Sequence, residues 1–286
     1  MNTLRQTASP KSVAITQSGG AESGTSFNWE VARWLARFSA EAYQRANITD
    51  AKTDTQVLVQ GIHPQSDVIP NYPNGVIVVA FRGTSSIEDF VQDAKFWRVH
   101  HWQKHRRSQL LWDKNGSPAE VHQGFLECFE AVSEAVWHRV RDLSLAMPQA
   151  DIYVTGHSLG GALANLGALE LKRRKLPIKA VYTFGQPRVG NATFASIYND
   201  SLGDRTWRIV NGNDIVPRSP LWITGYRHSA TEIFLPPGGG YVPNPPLDIK
   251  LIDDLYGLRN AVRSLKDVLI ANHFIAAYQA RMEHLQ

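Results

Sequence analysis

The fold is decided by residues 152–164, which read IYVTGHSLGGALA. The first four residues are β-branched or aromatic and predict a buried strand. Glycines stand two residues before and two residues after Ser158, and a small-residue run typical of a helix follows. A serine on such a tight strand-to-helix turn exposes its hydroxyl above the sheet, beside the amides of the helix. The pattern Gly-x-Ser-x-Gly alone often marks an ordinary turn, but its place between a strand and a helix predicts that Ser158 is a nucleophile.

The rest of the chain alternates apolar β-rich runs with helix-period segments. This alternation predicts an α/β fold, in which helices cover both faces of a mainly parallel central sheet. Ligands of such sheets bind at the carboxyl ends of the strands, where Ser158 also falls. The predicted strands are Val76–Phe81, Ile152–Thr155, Ala180–Phe184, Trp207–Val210 and Glu232–Leu235, and the predicted helices start after an Asn28 cap and cover Phe125–Leu143, Gly161–Lys172 and Val262–Met282.

Composition and charge exclude several classes of protein. The 286 residues are 43% hydrophobic and 20% charged, which is typical of a globular chain and excludes a mainly disordered, collagen-like or coiled-coil protein. The net charge of +4 falls well short of a surface built to bind nucleic acid. The lone Cys128 excludes an internal disulfide framework and a cysteine-based zinc site.

The chain divides into a short leader and one large domain. Residues 1–27 are rich in Ser, Thr, Gly and Gln and predict a flexible leader, and residues 28–286 predict a single α/β domain. The Pro- and Gly-rich run at 236–246 is interpreted as a surface excursion, because apolar periodic sequence resumes after it. No run of about 18 apolar residues predicts a transmembrane helix. Residues 1–20 lack the apolar core of a secretory signal, so a cytoplasmic or unconventionally exported protein is expected.

A nucleophilic serine needs an imidazole to accept its proton and a carboxylate to fix the tautomer of that imidazole. In α/β-hydrolases these groups follow in the chain order serine, acid, histidine. Asp214 alone among the later acids directly follows a good predicted strand, in a turn rich in Asn and Gly. The alternative is an ordinary turn aspartate.

Four histidines bear on the choice of the base. His157 adjoins the nucleophile on the same turn, is predicted to point away from it, and is therefore assigned a structural role. His228 precedes the last predicted strand, and His284 lies close to the end of the sequence. His273 remains, although a lone histidine in an apolar helix is more often part of the core. The residues alone favour it only weakly.

Five motifs resemble those of the class 3 lipases, the fungal triacylglycerol lipase family with its bacterial and plant relatives. They occur in the family's order between about residues 30 and 285, and together they are highly specific. They are Val79–Thr84, Val121–Phe125, Thr155–Ala164, Phe184–Asn191 and Asn211–Pro217. The resemblance implies an α/β-hydrolase fold with a lid segment, and a bacterial-type member of the family is expected.

The resemblance also implies the roles of single residues. It matches Asp214 to the family's catalytic acid and His273, which a tyrosine follows, to its base. The family often has Asp before this histidine, whereas Asn272 stands here and is expected to cap the last helix. The backbone N–H of Leu159, directly after the nucleophile, is expected to donate to the oxyanion. Thr84 matches the family's second oxyanion residue, and a threonine that only completes a turn is the alternative.

Two segments are candidates for contact with a lipid–water interface. By resemblance, Ser85–Asp93 is the lid, and Ile87, Phe90 and Val91 share one face of it. A helix packed permanently on the core fits that stretch almost equally well. The following segment Lys95–Arg107 interleaves basic residues with Trp, and the stretch from there to Val121 looks longer and more basic than is usual in the fungal members. It suits anionic lipid headgroups better than single-stranded nucleic acid, and a solvated loop is the alternative.

The resemblance implies a serine ester hydrolase, namely a triacylglycerol lipase that works through a Ser-His-Asp triad and an acyl-enzyme. Acylglycerols are the expected substrates. Phospholipase A1, feruloyl esterase and short-chain esterase activities remain open on the same triad. A non-catalytic lipid-binding protein is the rival from a different class. No metal or cofactor is expected, because no zinc-binding His spacing, phosphate-binding loop or dinucleotide fingerprint occurs.

Overall fold

The computed structural model describes residues 26–64, 72–84, 105–112, 117–220, 222–246 and 271–286. Of the sequence predictions, the leader up to residue 25, the lid Ser85–Asp93 and the basic segment up to residue 104 lie outside these residues. The remainder of the basic segment begins a strand.

Helices and strands alternate along the described chain, as the sequence predicted. The order is α1 (Trp29–Arg45), β1 (Ile48–Asp50), β2 (Thr55–Ile62), β3 (Val76–Phe81), β4 (His105–Trp112), β5 (Pro118–His122), α2 (Gln123–Ala146), β6 (Asp151–His157), α3 (Leu159–Arg173), β7 (Ile178–Phe184), β8 (Gly190–Asn191), α4 (Ala192–Leu202), β9 (Thr206–Asn211), β10 (Tyr226–Arg227), β11 (Thr231–Leu235), β12 (Val242–Pro243) and α5 (Ile275–Met282). Short 3₁₀ turns cover Gly203–Arg205, Val216–Arg218 and Trp222–Thr224.

Eight strands form the central sheet, in the order β1-β2-β3-β6-β7-β9-β11-β12. The five strands from β3 to β11 run parallel, and these are the five strands that the sequence predicted. Strands β1, β2 and β12 run antiparallel at the two edges. The carboxyl ends of the five parallel strands therefore meet along one edge of the sheet, where the site is expected.

Helices cover both faces of this sheet. All six residues of β3 are buried, and they alternate between two hydrophobic clusters. Ile77, Val79 and Phe81 join the cluster under α2, α3 and α4, whereas Val76, Val78 and Ala80 join the cluster under α1 and α5. A strand buried on both faces has no polar alternation, which explains why β3 reads as a continuous apolar run.

A second, smaller sheet lies beside the first. Its four strands have the order β10-β8-β5-β4, and all three pairings are antiparallel. The sequence analysis did not predict this sheet, because two of its strands are only two residues long and carry no periodic pattern. Through the pairing of β8 with β10, it joins the chain that follows β7 to the chain that follows β9.

The start of the first helix agrees with the prediction from the sequence, whereas the start of the last described helix does not. Asn28 caps α1 as predicted, since its side chain accepts a hydrogen bond from the Val31 N–H at 3.1 Å. The last described helix begins at Ile275, with Phe274 at the cap position, so the prediction that Asn272 caps it is wrong. His273 accordingly lies in a turn before the helix and not inside it. Residues 262–270 of the predicted helix lie outside the described residues.

A buried ion pair joins two neighbouring strands of the sheet. Arg208 of β9 and Glu232 of β11 are register partners, their side chains are 4% and 8% exposed, and the nitrogen–oxygen distance is 3.2 Å. Burial together with Arg208 lowers the pKa of the nearby Arg188 to about 10, and Glu232 opposes that shift. Glu232 therefore compensates the positive charge of this part of the core.

We predict that Glu232→Gln strongly destabilises the fold, by about 3–5 kcal/mol, because it leaves the buried Arg208 charge without its partner. Urea unfolding followed by circular dichroism measures the change. Glu134→Gln is the matched control, since it also removes a carboxylate from an arginine, Arg174, but at the surface. It should leave the midpoint almost unchanged. Equal shifts for both variants would contradict this assignment.

Candidate active site

Ser158 lies on a sharp turn between β6 and α3. Its φ angle is +59°, a strained value for a residue with a side chain, and it is fully buried. A Cβ at Gly156 would lie 2.1 Å from the carbonyl oxygen of Gly160, and a Cβ at Gly160 would lie 2.1 Å from that of Phe81. Only glycine therefore fits on either side of Ser158.

The tight turn brings the start of α3 against the loop that follows β3. A Cβ at Gly83 in that loop would lie 3.2 Å from the Cβ of Ser158. The first amides of a helix, here those of Leu159 and its neighbours, have no partners within the helix and carry the positive end of its dipole. The hydroxyl oxygen of Thr84 is buried without a hydrogen-bond partner among the described residues. Both candidate oxyanion donors are thus on the two segments that flank the nucleophile.

Asp214 and His273 form a buried pair, although 59 residues separate them in sequence. His273 Nδ1 lies 2.7 Å from Asp214 Oδ2, and both side chains are fully buried. The other carboxylate oxygen accepts the Val216 N–H at 2.9 Å, within the turn that follows β9. A carboxylate held in this way fixes the orientation of the imidazole and leaves Nε2 as its free nitrogen.

Tyr278 is a further member of this cluster that the sequence analysis did not assign. Its hydroxyl donates to Asp214 Oδ2 at 2.5 Å and accepts the Asn211 N–H at 3.2 Å. Burial, and then the Asp214 charge, raise the pKa of this phenol well above its usual range, so it remains a donor. Its only signal in the sequence is a tyrosine five residues after His273.

Like the Thr84 hydroxyl, Ser158 Oγ and His273 Nε2 are buried and have no partner among the described residues. The structure thus supplies the acid–base hydrogen bond but not one between the serine and the base. Catalytic hydrogen bonds are often long without substrate and tighten when it binds. The competing histidine His228 is held elsewhere, because its Nε2 lies 2.7 Å from the Pro217 carbonyl oxygen. His284 is exposed.

Gly185, directly after β7, adjoins the acid and the base. It has a φ angle of +61°, and a Cβ there would lie 2.9 Å from Asp214 Oδ2 and from two ring atoms of His273. Its backbone N–H donates to the Ile209 carbonyl oxygen at 3.1 Å, so the main chain cannot move away freely. The absence of a side chain at this position lets the pair assemble.

The chemistry that these groups can perform is acyl transfer. A hydroxyl on a strained turn, two candidate oxyanion donors and the acid lie on segments that follow the carboxyl ends of parallel strands, and the acid orients the imidazole. Within the part of the chain that the structure describes, no group of three His, Cys, Asp or Glu residues is arranged to hold a metal ion. Nor does any helix there have the length and apolar character needed to cross a membrane.

Comparison with protein families gives one match. The family described as lipase (class 3) matches residues 78–224, which include most of β3, the Ser158 turn and the Asp214 turn. A secreted mono- and diacylglycerol lipase of Fusarium solani is 32% identical over 197 residues, with 67% of this chain and 55% of the relative covered. A lipase of Rhizomucor miehei is also 32% identical, with 81% of this chain and 66% of the relative covered. The chain thus spans between half and two thirds of these curated relatives.

Comparison with solved structures gives the same result. A triacylglycerol lipase whose catalytic centre is described as a serine protease triad superposes with a TM-score of 0.55 at 27% identity, covering 71% of this chain and 78% of its own. The predicted α/β-hydrolase fold is therefore confirmed. The relatives named above are fungal where an organism is given, so the expectation of a bacterial-type member gains no support from them.

One expectation from the sequence is wrong. A cytoplasmic or unconventionally exported protein was expected, but several relatives are named secreted lipases, which points to an extracellular location. The expectation rested on the lack of an apolar leader in the first residues, and such a lack is weak evidence about compartment.

We predict that Gly185→Ala lowers kcat on a soluble ester by about 100-fold. The new methyl group would push Asp214 and His273 out of position, and a displacement of catalytic groups by about 1 Å costs about that much in rate. Gly225→Ala is the matched control: it also places a side chain at a positive φ angle, of 87°, but nothing lies within 4 Å of its Cβ. Gly185→Ala should lose more thermal stability, since only its Cβ meets packed atoms, so kcat is measured well below both melting temperatures. A loss of kcat that is equal in the two would refute the role of Gly185.

Proposed function

The chain belongs to the class 3 lipase family, and on that premise we propose that it is a serine ester hydrolase that acts on acylglycerols. The observation that carries the proposal is the buried Asp214–His273 hydrogen bond of 2.7 Å at the sheet edge that also presents the strained Ser158 turn. Two of the relatives are named for acylglycerol hydrolysis, which supports acylglycerols as the substrate class.

In the proposed reaction Ser158 Oγ attacks the acyl carbon while its proton passes to His273 Nε2. The negative oxygen of the tetrahedral intermediate is held by the Leu159 N–H and by Thr84. His273 then gives the proton to the departing alcohol, which leaves an acyl-enzyme on Ser158. Water attacks this ester, again with His273 as base, and the carboxylic acid and the serine hydroxyl are released. Asp214 orients His273 and stabilises its charge in both halves.

The geometry weighs against a non-catalytic lipid-binding protein. A positive φ angle at a residue other than glycine costs about 1–3 kcal/mol, and such strain persists mainly where function requires it. Several other residues have a positive φ angle, but Ser158 combines a φ of +59° with a ψ of −129°, outside the left-handed helical region that side chains tolerate, and two glycines make room for it. A binding protein has no use for a strained serine beside an oriented imidazole. Phospholipids, feruloyl esters and short-chain esters share the ester group with acylglycerols and differ in the rest of the molecule. The catalytic residues described above act on the ester group and do not distinguish these substrates.

We also propose that the active-site edge docks on a lipid surface. Two large apolar side chains are exposed there, Ile223 at 66% and Phe274 at 47%. Phe274 directly follows His273, and Ile223 lies between the Asp214 turn and β10. The lid Ser85–Asp93 and the segment Lys95–Arg107, candidates for contact with a lipid–water interface from the sequence, are proposed to take part in the same contact.

Residues 28–286 are proposed to act as one catalytic domain. The last described helix, α5, packs through Tyr278 and Met282 into the cluster that also contains α1 residues. The two ends of the described chain thus share one hydrophobic cluster, as expected if a single core forms around the sheet.

For the triad we predict that Ser158→Ala abolishes hydrolysis of a soluble p-nitrophenyl ester. Asp214→Asn should lower kcat by about 10⁴-fold, because an amide stabilises the wrong imidazole tautomer. Initial rates over substrate concentration give both values. Asp204→Asn serves as the control, because Asp204 pairs with Arg205 at the surface and should leave kcat unchanged. Ester hydrolysis that survives in Ser158→Ala would refute the proposed nucleophile.

For the lipid surface we predict that Ile223→Ser and Phe274→Ser each lower the rate on emulsified triacylglycerol by about tenfold. Burying a large apolar side chain is worth roughly 1.5–3 kcal/mol, and this contribution would be lost at the interface only. The rate on a soluble ester should not change. Leu145→Ser is the matched control, because Leu145 is 73% exposed near the end of α2, at the opposite edge of the sheet. If all three variants respond alike, the docking surface is elsewhere.

A further inference from the structure

His157, the residue before the nucleophile, is buried and has partners at both ring nitrogens. Nε2 lies 2.6 Å from the carbonyl oxygen of His273, and Nδ1 lies 3.0 Å from the hydroxyl of Tyr43. A carbonyl oxygen can only accept, so Nε2 must carry the proton. In the neutral ring Nδ1 is then an acceptor, and the Tyr43 hydroxyl donates to it.

The charge states of these groups fix the direction of each hydrogen bond. Burial, and then the neighbouring His273, hold the pKa of His157 well below its usual range, so the ring stays neutral. Burial raises the pKa of Tyr43 to about 12, against the opposing effect of Arg82, so the phenol keeps its proton. The Tyr43 oxygen in turn accepts the backbone N–H of Gly83. One directed chain therefore runs from Gly83 through Tyr43 and His157 to the backbone of His273.

We propose that His157 is a positioning residue that ties the base His273 to the oxyanion loop, an inference that rests on the proposed esterase function. The chain of hydrogen bonds connects the loop after β3, the nucleophile turn and the turn that carries the base. Its contact with His273 is made to the main chain, so it places the whole residue and leaves the ring free for catalysis.

The rings of His157 and His273 lie close together, so the charge of His157 affects how easily His273 becomes positive. The ring centroids of His157 and His273 are 4.7 Å apart at an angle of 33°, and the ring of Tyr278 lies 6.1 Å from that of His157. His273 becomes positive each time it accepts the serine proton. A charged neighbour at this distance would oppose that step, whereas a neutral ring does not.

The test is steady-state kinetics of His157→Leu and His157→Gln on a soluble ester. His157→Leu removes the donor to the His273 carbonyl and should lower kcat by about 100-fold with KM nearly unchanged. In His157→Gln the side-chain amide nitrogen can reach the position of the imidazole Nε2 and donate to the same carbonyl oxygen. The kcat of His157→Gln should therefore be about tenfold higher than that of His157→Leu, or more. Two variants with equal kcat, or a kcat that does not fall in His157→Leu, would overturn the proposal.

A second pair of variants separates positioning from stability. Tyr43→Phe and Ser39→Ala each remove a hydroxyl of α1 that bonds to a β6 side chain, since Ser39 Oγ lies 2.9 Å from Thr155 Oγ1. Both should lower the melting temperature by similar amounts, but only Tyr43→Phe should lower kcat. If Ser39→Ala lowers kcat as much, the effect is general destabilisation and the proposal fails.

A readout without substrate distinguishes this inference from the proposed function. The Nδ1 proton that His273 shares with Asp214 should give a far-downfield proton NMR signal. This signal should broaden or vanish in His157→Leu and persist in His157→Gln and Ser39→Ala. A wild-type protein without ester hydrolysis would overturn the proposed function, whereas an unchanged signal in His157→Leu would overturn the positioning role alone.

Discussion

The site depends on one close contact, that between the start of helix α3 and the end of strand β3. A Cβ at Gly160 would lie 2.1 Å from the Phe81 carbonyl oxygen, so no other residue allows the helix to come so near. This contact forces Ser158 into its strained conformation and aligns the helix amides with the loop that carries Thr84. The nucleophile and the oxyanion donors are thus positioned by backbone packing.

A second layer of buried hydrogen bonds holds the base against this rigid turn. Asp214 accepts from His273, Tyr278 and the Val216 amide, and His273 is held from the other side through its carbonyl oxygen by His157. All of these groups lie in a low-dielectric interior, where an unpaired polar atom is costly and a paired one is held firmly. Among the described residues of the site, the serine oxygen, the free nitrogen of the base and the Thr84 hydroxyl have no partner, and the proposed reaction uses all three.

The sequence predicts the structural features that a pattern within a few neighbouring residues marks. The five parallel strands, the Asn28 cap and the Ser158 turn follow from apolar periodicity and glycine spacing within a few residues. Strand β2 was not predicted, because its apolar run Val57–Val59 is only three residues long between two glutamines. The two-residue strands of the second sheet carry no periodic pattern, and a turn at His273 precedes the last helix where the sequence reads as one helix. The contacts of Tyr278 with Asp214 and of Tyr43 with His157 join residues 64 and 114 positions apart, so only the folded chain brings them together.

The most direct measurement is the time course of p-nitrophenol release when the enzyme is mixed with excess p-nitrophenyl ester, together with the mass of the acid-quenched protein. The account predicts a burst that approaches one p-nitrophenol per active site if deacylation is the slower step, and a mass gain equal to the acyl group, located on the peptide that contains Ser158. An acyl group found on another residue, or a burst without a matching mass gain on the peptide that contains Ser158, would contradict it.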